Sequence, residues 1–350
     1  MTATALPLWI GGVSLVLAVF LRALPRVLWP NYQGTDAYYH LAYIRLIRDT
    51  GHRLPRGNPR ISGPGEHAYP ALFHWLLSYF TARAVRWVDR FGGVLGDLLV
   101  AVGVSGVLFS SGTIDPGAAL VAAALYLLLP GLVLPHIGPR AFTLTPRLWG
   151  QVFYALAILC WLVADSYPQA WLLSVVPLAP MLLTSKFAMQ NIIFVAPIAA
   201  LLMGRLEPLA VAIGAAALAL ILFRGMFVRQ LVGQVGHLRW YLRRNLEMIA
   251  GRGNWSALAS AVAAGDIRQL AVEAIWQNPI VSGLLRHFPI VVALLLVLRN
   301  GTGGVVGDIA LAVTLAALVP WILTAFGRMR VLGESERYLE FAAPAALVLL

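Results

Sequence analysis

Asp36, Tyr38, Tyr39 and His40 stand together in the run Gly34-Thr35-Asp36-Ala37-Tyr38-Tyr39-His40, just after the first apolar segment of the chain. A carboxylate can take a proton from a nucleophile, while an imidazole and phenols can hold polar substrate groups by hydrogen bonds. Ionisable groups at the edge of a bilayer-length apolar segment are costly, and where they cluster they mark a functional site. The run belongs to a polar island from Asn31 to Tyr69. Thr35 or Asp36 can cap a helix reaching about Asp49, with Gly51 as its C-terminal signal. At helical spacing Asp36, His40, Tyr43 and Ile47 share a face, and Arg45 and Asp49 point the other way. A purely structural role for Asp36, as helix cap and dipole partner, stays open.

The elements that must position this cluster are membrane helices. Hydrophobic residues make up 60% of the chain and charged residues 12%, against about 45–50% and about 25% in soluble domains. Scanning for runs of about 20 apolar residues gives ten segments. They are Leu8 to Leu28, Phe91 to Ser111, Gly117 to Pro135, Leu148 to Ala164, Ala170 to Thr184, Ala188 to Gly204, Pro208 to Phe223, Leu284 to Leu298, Gly307 to Phe326 and Tyr338 to Leu350. The expected fold is all-α: a polytopic transmembrane helix bundle, integral to the cell membrane, spanning residues 1–350 as one domain. The first segment lacks a basic leader and a small-residue cleavage site, so it reads as a retained helix. The last is short for a span and points to a natural chain that continues beyond Leu350. Cys160, the sole cysteine, allows no internal disulfide.

Ordering the segments sorts the polar links onto two faces. One face receives the first outer loop (residues 29–90), Pro135 to Arg147, the Ser185-Lys186 turn, an outer loop over residues 225–283, and Gly327 to Arg337. The other receives only short links. The net charge of +11 rests on arginine, with Lys186 the only lysine, and arginine suits planar recognition of phosphate oxygens. Dispersed between spans, these charges exclude nucleic acid as a partner and favour anionic lipid headgroups or lipid-linked phosphates. Counting basic loops alone would place the elaborate face in the cytoplasm. Charges held for an anionic substrate are not topology signals, and on that ground we assign this face to the extracytoplasmic side.

Tyr69-Pro70-Ala71-Leu72-Phe73-His74-Trp75-Leu76-Leu77 reads as a helix lying on the membrane surface, with His74 an interfacial side chain. Leu231, Val235, Leu238, Leu242, Leu246 and Ile249 repeat at helical spacing, predicting a second surface helix, and Gly251 to Trp276 reads as a linker or lid. Ionisable residues are expected at one membrane face rather than within the spans. Walker, dinucleotide-binding and zinc-ligand patterns are missing from the sequence.

Asp36-Ala37-Tyr38-Tyr39-His40 and Tyr69-Pro70-Ala71-Leu72-Phe73-His74 resemble the first luminal loop of GT-C glycosyltransferases, closest to archaeal and bacterial oligosaccharyltransferase catalytic subunits and to protein mannosyltransferase-like enzymes. Leu183-Thr184-Ser185-Lys186-Phe187 and Glu336-Arg337-Tyr338-Leu339-Glu340-Phe341 are similar to later motifs in the same order. The resemblance implies a GT-C-like bundle that moves a sugar or oligosaccharide from a polyprenyl-phosphate or polyprenyl-pyrophosphate donor to a protein, lipid or glycan acceptor, with inversion. It makes Asp36 the catalytic residue, and Tyr39, His40, Arg140, Arg147, Lys186 and Arg337 the substrate-binding set. The family's second outer loop carries paired acids for a divalent metal, whereas here Gly138 to Arg147 has none. Magnesium or manganese on Asp36, aided by Glu66, Glu334, Glu336 or substrate phosphate, and a metal-independent mechanism using arginine charge both stay open. Arg140, Arg147 and Lys186 also fit a plain role as interfacial anchors. A polytopic transporter or lipid flippase is the alternative function.

Cysteine introduced as Thr35→Cys is expected to react with a membrane-impermeant maleimide added from the extracytoplasmic side. Labelling from the cytoplasm alone would reverse the orientation.

Overall fold

A segment with no water beside it must pair its own backbone groups, and in a single segment only a helix does so. Each of the ten apolar segments accordingly contains helix in the computed structural model, and strands are absent among the described residues. The structure describes residues 7–32, 34–55, 69–112, 114–129, 144–244, 255–274, 278–333 and 335–350. The first helices are α1 (Leu8–Leu28), α2 (Thr35–Asp49), α3 (Leu72–Ser78), α4 (Ala82–Ser110) and α5 (Pro116–Leu127). Next come α6 (Pro146–Leu162), α7 (Gln169–Thr184), α8 (Lys186–Met203) and α9 (Glu207–Arg244). After α10 (Trp255–Ala264), α11 (Ile267–Val272) and α12 (Pro279–Arg286), the chain closes with α13 (Phe288–Asn300), α14 (Val305–Ala325) and α15 (Ser335–Val348).

Among the described residues, five of these are long and apolar enough to cross a bilayer: α1, α4, α8, α14 and α9 from Glu207 to Trp240; α12 and α13 together make a sixth if they count as one bent span. Leu8, Trp9, Val13, Val16 and Phe20 all stand exposed on α1, an apolar surface suited to lipid. The other side of α1 lies so close to α5 that a methyl group on Gly11 would sit 2.4 Å from the Gly117 carbonyl oxygen. Small residues permit that approach between membrane helices. Further in, α6 packs on α7, α8 and α4, while α15 lies against α14, α13, α4 and α6. At one end Arg205 joins Asp165 and Glu207, tying the α6–α7 turn to the α8–α9 turn. The opposite end holds α2, α3 and the first turns of α4, α6, α8 and α15.

Four features depart from the sequence reading. Ionisable residues are not confined to one face: Arg22 Nη2 lies 2.7 Å from Asp97 Oδ2, with both side chains almost wholly buried between α1 and α4. Four residues on, Arg26 Nη2 pairs with Asp89 Oδ2 at 3.4 Å and also donates to the Asp89 carbonyl at 3.0 Å. Second, α4 starts at Ala82, nine residues before the expected Phe91, because Thr81 caps it through Ala84 N–H and Asp89 finds a buried partner. Third, the expected straight span from Leu284 is bent by 78° between α12 and α13. Pro289, in the first turn of α13, cannot donate the hydrogen bond that would continue α12. Fourth, α3 is only seven residues long and packs against α2, α6 and α7, with Leu72, Phe73, His74, Leu77 and Ser78 buried. The surface helix expected after Arg224 is continuous with α9 across a kink at Phe223, and its last stripe positions, Leu246 and Ile249, lie outside the described residues.

Removing one partner of a buried pair leaves an uncompensated charge. Arg22→Met alone is expected to cost about 3–5 kcal/mol, read as a lowered unfolding midpoint in detergent. Pairing it with Asp97→Leu should recover most of that loss.

Candidate functional site

The island folds because its polar helix finds an aromatic partner. Gly34 is the N-cap of α2 and no side chain caps the helix, which corrects the expectation that Thr35 or Asp36 does so. Asp36 stands in the first turn, exposed, where its charge interacts with the helix dipole. One turn on, His40 is buried, and its Nδ1 lies 2.9 Å from Nε2 of fully buried His74. One ring must donate and the other accept. His74, expected as an interfacial side chain, is buried in the protein and joins α2 to α3. Tyr43 meets His74 edge-on at 5.0 Å, and Tyr39 stacks on Tyr43 at 6.2 Å while meeting Tyr69 edge-on at 5.6 Å.

Burial sets the protonation of this cluster. It pushes His40 down to about 4, against the smaller opposing effect of Asp36, so the ring is neutral at pH 7. Burial also raises Tyr39, whose neighbours Tyr69 and Tyr43 push the same way, and Tyr69, with Asp36 adding to the effect. Tyr43 is pushed up to about 12 by burial, opposed by Arg229. The phenols are thus neutral hydrogen-bond donors. Arg229 arrives from the part of α9 beyond the kink, where it also reaches the Pro55 carbonyl at 3.3 Å.

A second group gathers below. Thr145 caps α6 through Arg147 N–H, and Pro146 starts the helix. Arg147 is buried, and its Nε and Nη2 have no hydrogen-bond partner among the described residues. One turn later a methyl group on Gly150 would lie 2.2 Å from Ser185 Cβ, so α6 presses directly on the N-cap of α8. Lys186 follows that cap, with Nζ 5.1 Å from the Phe187 ring centre, and Arg337 Cζ is 5.4 Å from the same ring. Arg337 also bonds Glu340 at 3.3 Å. Glu336, by contrast, pairs with Arg286 and accepts from Ser282 at 2.8 Å. Gln151 Nε2 donates to the Glu340 carbonyl at 2.7 Å, fastening α6 to α15.

The predicted residues thus form two sets at one end of the bundle: Asp36, Tyr39 and His40 with Tyr69 and His74, and Arg147, Lys186 and Arg337 with Glu340. They meet where Phe73 of α3 stacks on Trp149 of α6 at 6.4 Å. Arg140, Glu66 and Glu334 lie outside the described residues. Sequence reasoning missed the partnership of His74 and of Glu340; the signal for His74 was a histidine inside a block of aromatics matching that around His40. A hard divalent cation does not fit the described ligands. No group of three or more His, Cys, Asp or Glu gathers among the described residues, Asp36 supplies only oxygen from one side chain, and Glu336 is engaged by Arg286.

No protein-family model matches the chain, and no curated protein matches it. The roles of these residues rest on geometry and chemistry alone.

The His40–His74 contact carries a pH signature. A histidine whose folded value is depressed contributes stability that is full above its unfolded value of about 6.5, and that is lost as pH falls toward about 4. The unfolding midpoint is expected to drop over that window by the equivalent of on the order of 1–3 kcal/mol, and His40→Asn should flatten the drop. An unchanged slope in the variant would remove His40 as its source.

Proposed function

We propose that the chain is a multi-pass glycosyltransferase of the cell membrane, GT-C-like in fold with about ten crossings, acting at its extracytoplasmic face on a polyprenyl-linked sugar donor. The observation that carries this reading is Arg147, a buried guanidinium without a hydrogen-bond partner for Nε or Nη2 among the described residues, at the same end of the bundle as an exposed carboxylate. A buried cation is costly unless an anion compensates it, and a phosphate ester bound between Arg147, Lys186 and Arg337 does so.

The chemistry follows from that division. The acceptor hydroxyl or amide loses its proton to Asp36 as its lone pair attacks the anomeric carbon. The bond from that carbon to the phosphate oxygen breaks on the opposite face, its electron pair passing to the oxygen, and the anomeric centre inverts. Charge growing on the phosphate is met by the cations at the α6, α8 and α15 starts, which need no rearrangement to receive it. Neutral Tyr39 and His40 hold polar groups of the sugar or acceptor. The acceptor class is protein, lipid or glycan.

A transporter or flippase reading draws on the ionisable pair within the helices, Arg22 and Asp97. Arg22 donates to the one oxygen Asp97 Oδ2 from both Nε at 3.1 Å and Nη2 at 2.7 Å, and a buried pair held by two charge-assisted bonds serves better as a fastening than as a transit site.

Sugar transfer from polyprenyl-linked donors in liposomes tests the assignment. Asp36→Asn is expected to lower transfer by on the order of 10²-fold or more without shifting the unfolding midpoint, while Arg337→Ala should chiefly weaken donor use. Transfer unchanged in folded Asp36→Asn protein would reduce Asp36 to a partner of the helix dipole.

A further inference from the structure

We propose that the part of α9 beyond Phe223 is a binding surface for anionic lipid headgroups, bedded in the bilayer surface at the same end of the bundle as the candidate site. This holds whether or not the chain transfers sugar. Length gives the first support. α9 runs for 38 residues, about 57 Å at helical rise, against an apolar core of about 30 Å. The stretch from Glu207 to Phe223 covers about 25 Å of that core. There the backbone of Phe223 (φ −136°, ψ 40°) breaks the helix, and its ring meets Trp75 of α3 edge-on at 6.3 Å, at the level of the candidate site. About 30 Å of helix therefore continues beyond the core.

Its pattern suits an interface rather than water. Arg224, Val228, Val232, Val235, Arg239 and Leu242 fall on one helical face, and all six are exposed. Ile221, seven residues before Val228, is 77% exposed on the crossing part, so an apolar surface that faces lipid tails passes into this stripe. The other side of the helix is occupied. Met226 packs on Tyr43, Ile47 and Ala71, Phe227 is buried, and Gln230 Nε2 donates to the Leu182 carbonyl. Charge names the occupant of the exposed side. From Arg224 to Arg244 the helix carries five arginines and no Asp or Glu. A basic amphipathic helix of this kind lies in a lipid surface, and each arginine near anionic headgroups strengthens its seat several-fold. A second copy of the chain fits less well, because a two-fold contact through the stripe sets Arg224 and Arg239 against like charge. The same helix also holds the polar island, through Met226 and through Arg229, which donates to the Pro55 carbonyl at 3.3 Å. A lipid seat for the far part of α9 thereby steadies α2.

The experiment places the full chain in nanodiscs of phosphatidylcholine, alone or mixed with phosphatidylglycerol, with Cys160→Ala and a nitroxide on Val232→Cys. Oxygen concentrates in lipid and a nickel chelate stays in water, so their relative access to the label reads its immersion. With phosphatidylglycerol present, oxygen should reach the label far better than nickel does. Changing Arg224→Gln, Arg239→Gln and Arg243→Gln together should raise nickel access on the order of 10-fold, as should omitting phosphatidylglycerol. Amide exchange over Thr35–Asp49 should be several-fold slower with phosphatidylglycerol than without, a difference that the triple variant loses. An unfolding scan in detergent separates a lost seat from a lost fold. Nickel access equal to that of oxygen in phosphatidylglycerol discs would overturn the seat, and spin–spin broadening would assign the stripe to a second copy instead. Equal immersion in both lipids and in the triple variant would overturn the preference for anions, and α2 exchange that ignores the lipid would overturn the link to the site.

Discussion

The placement of the candidate site depends on Asp89. Its Oδ2 pairs with Arg26 of α1, and its Oδ1 accepts a hydrogen bond from Leu144 N–H at 3.0 Å. Leu144 immediately precedes Thr145, the cap of α6, so one carboxylate fixes the end of α1, the first turns of α4 and the entry to α6. Arg26 extends the joint by donating to the Tyr32 carbonyl at 2.7 Å and the Arg90 carbonyl at 3.1 Å. Loss of this knot would release the turn on which Arg147 sits. Two turns along α4, the Arg22–Asp97 pair repeats the fastening deeper in the bundle, so α1 is held by a ladder of charge as well as by its close approach to α5. Buried pairs of this kind add little net stability, because desolvation offsets attraction. Their use is to fix a register: an arginine in apolar surroundings accepts few positions, and each wrong one leaves a charge unpaired.

This explains which parts of the structure were legible in the sequence. Apolar run length reports the need of a backbone to satisfy itself, so a helix lies at every segment so marked, and α9 kinks at Phe223, where its expected segment ends. The ladder was not legible. Arg22 and Asp97 each appear as an isolated polar residue in a long apolar run, and nothing in helical periodicity states that they face one another across seventy-five positions. The α12–α13 bend was available in principle, since Pro289 stands four residues after Leu285, but hydropathy averages over such a break.

The site was legible in composition and illegible in pairing. Asp36, Tyr39 and His40 could be chosen because acid, phenol and imidazole lie within one turn and a half of helix. His74 could not, because its part is defined by a neighbour thirty-four positions away. The same holds for Glu340, which reads as a helix-end charge until Arg337 and Gln151 are seen to engage its carboxylate and its carbonyl. Residues that touch a ligand can announce themselves by type; residues that orient those contacts show themselves only when the chain is folded.

The two halves of the site differ in rigidity for a physical reason. Arg147 sits on α6, pressed against α8 where Gly150 meets Ser185, and a side chain larger than glycine would force those helices apart. That contact leaves the guanidinium little freedom, and a cation already desolvated and fixed responds strongly to charge arriving beside it. Asp36, in contrast, is exposed at the start of a helix that packs on α3 and whose Leu41 and Ile44 join an apolar cluster with Val85 of α4 and Leu144. Its position therefore depends on how firmly His40 and His74 hold α2 to α3, and on Arg229 and Trp75 beneath, where Trp75 Nε1 donates to the His52 carbonyl at 3.1 Å. Arg147 and Asp36 therefore differ both in burial and in the contacts that hold them. The setting of Asp36, rather than that of Arg147, is accordingly the one sensitive to the histidine pair.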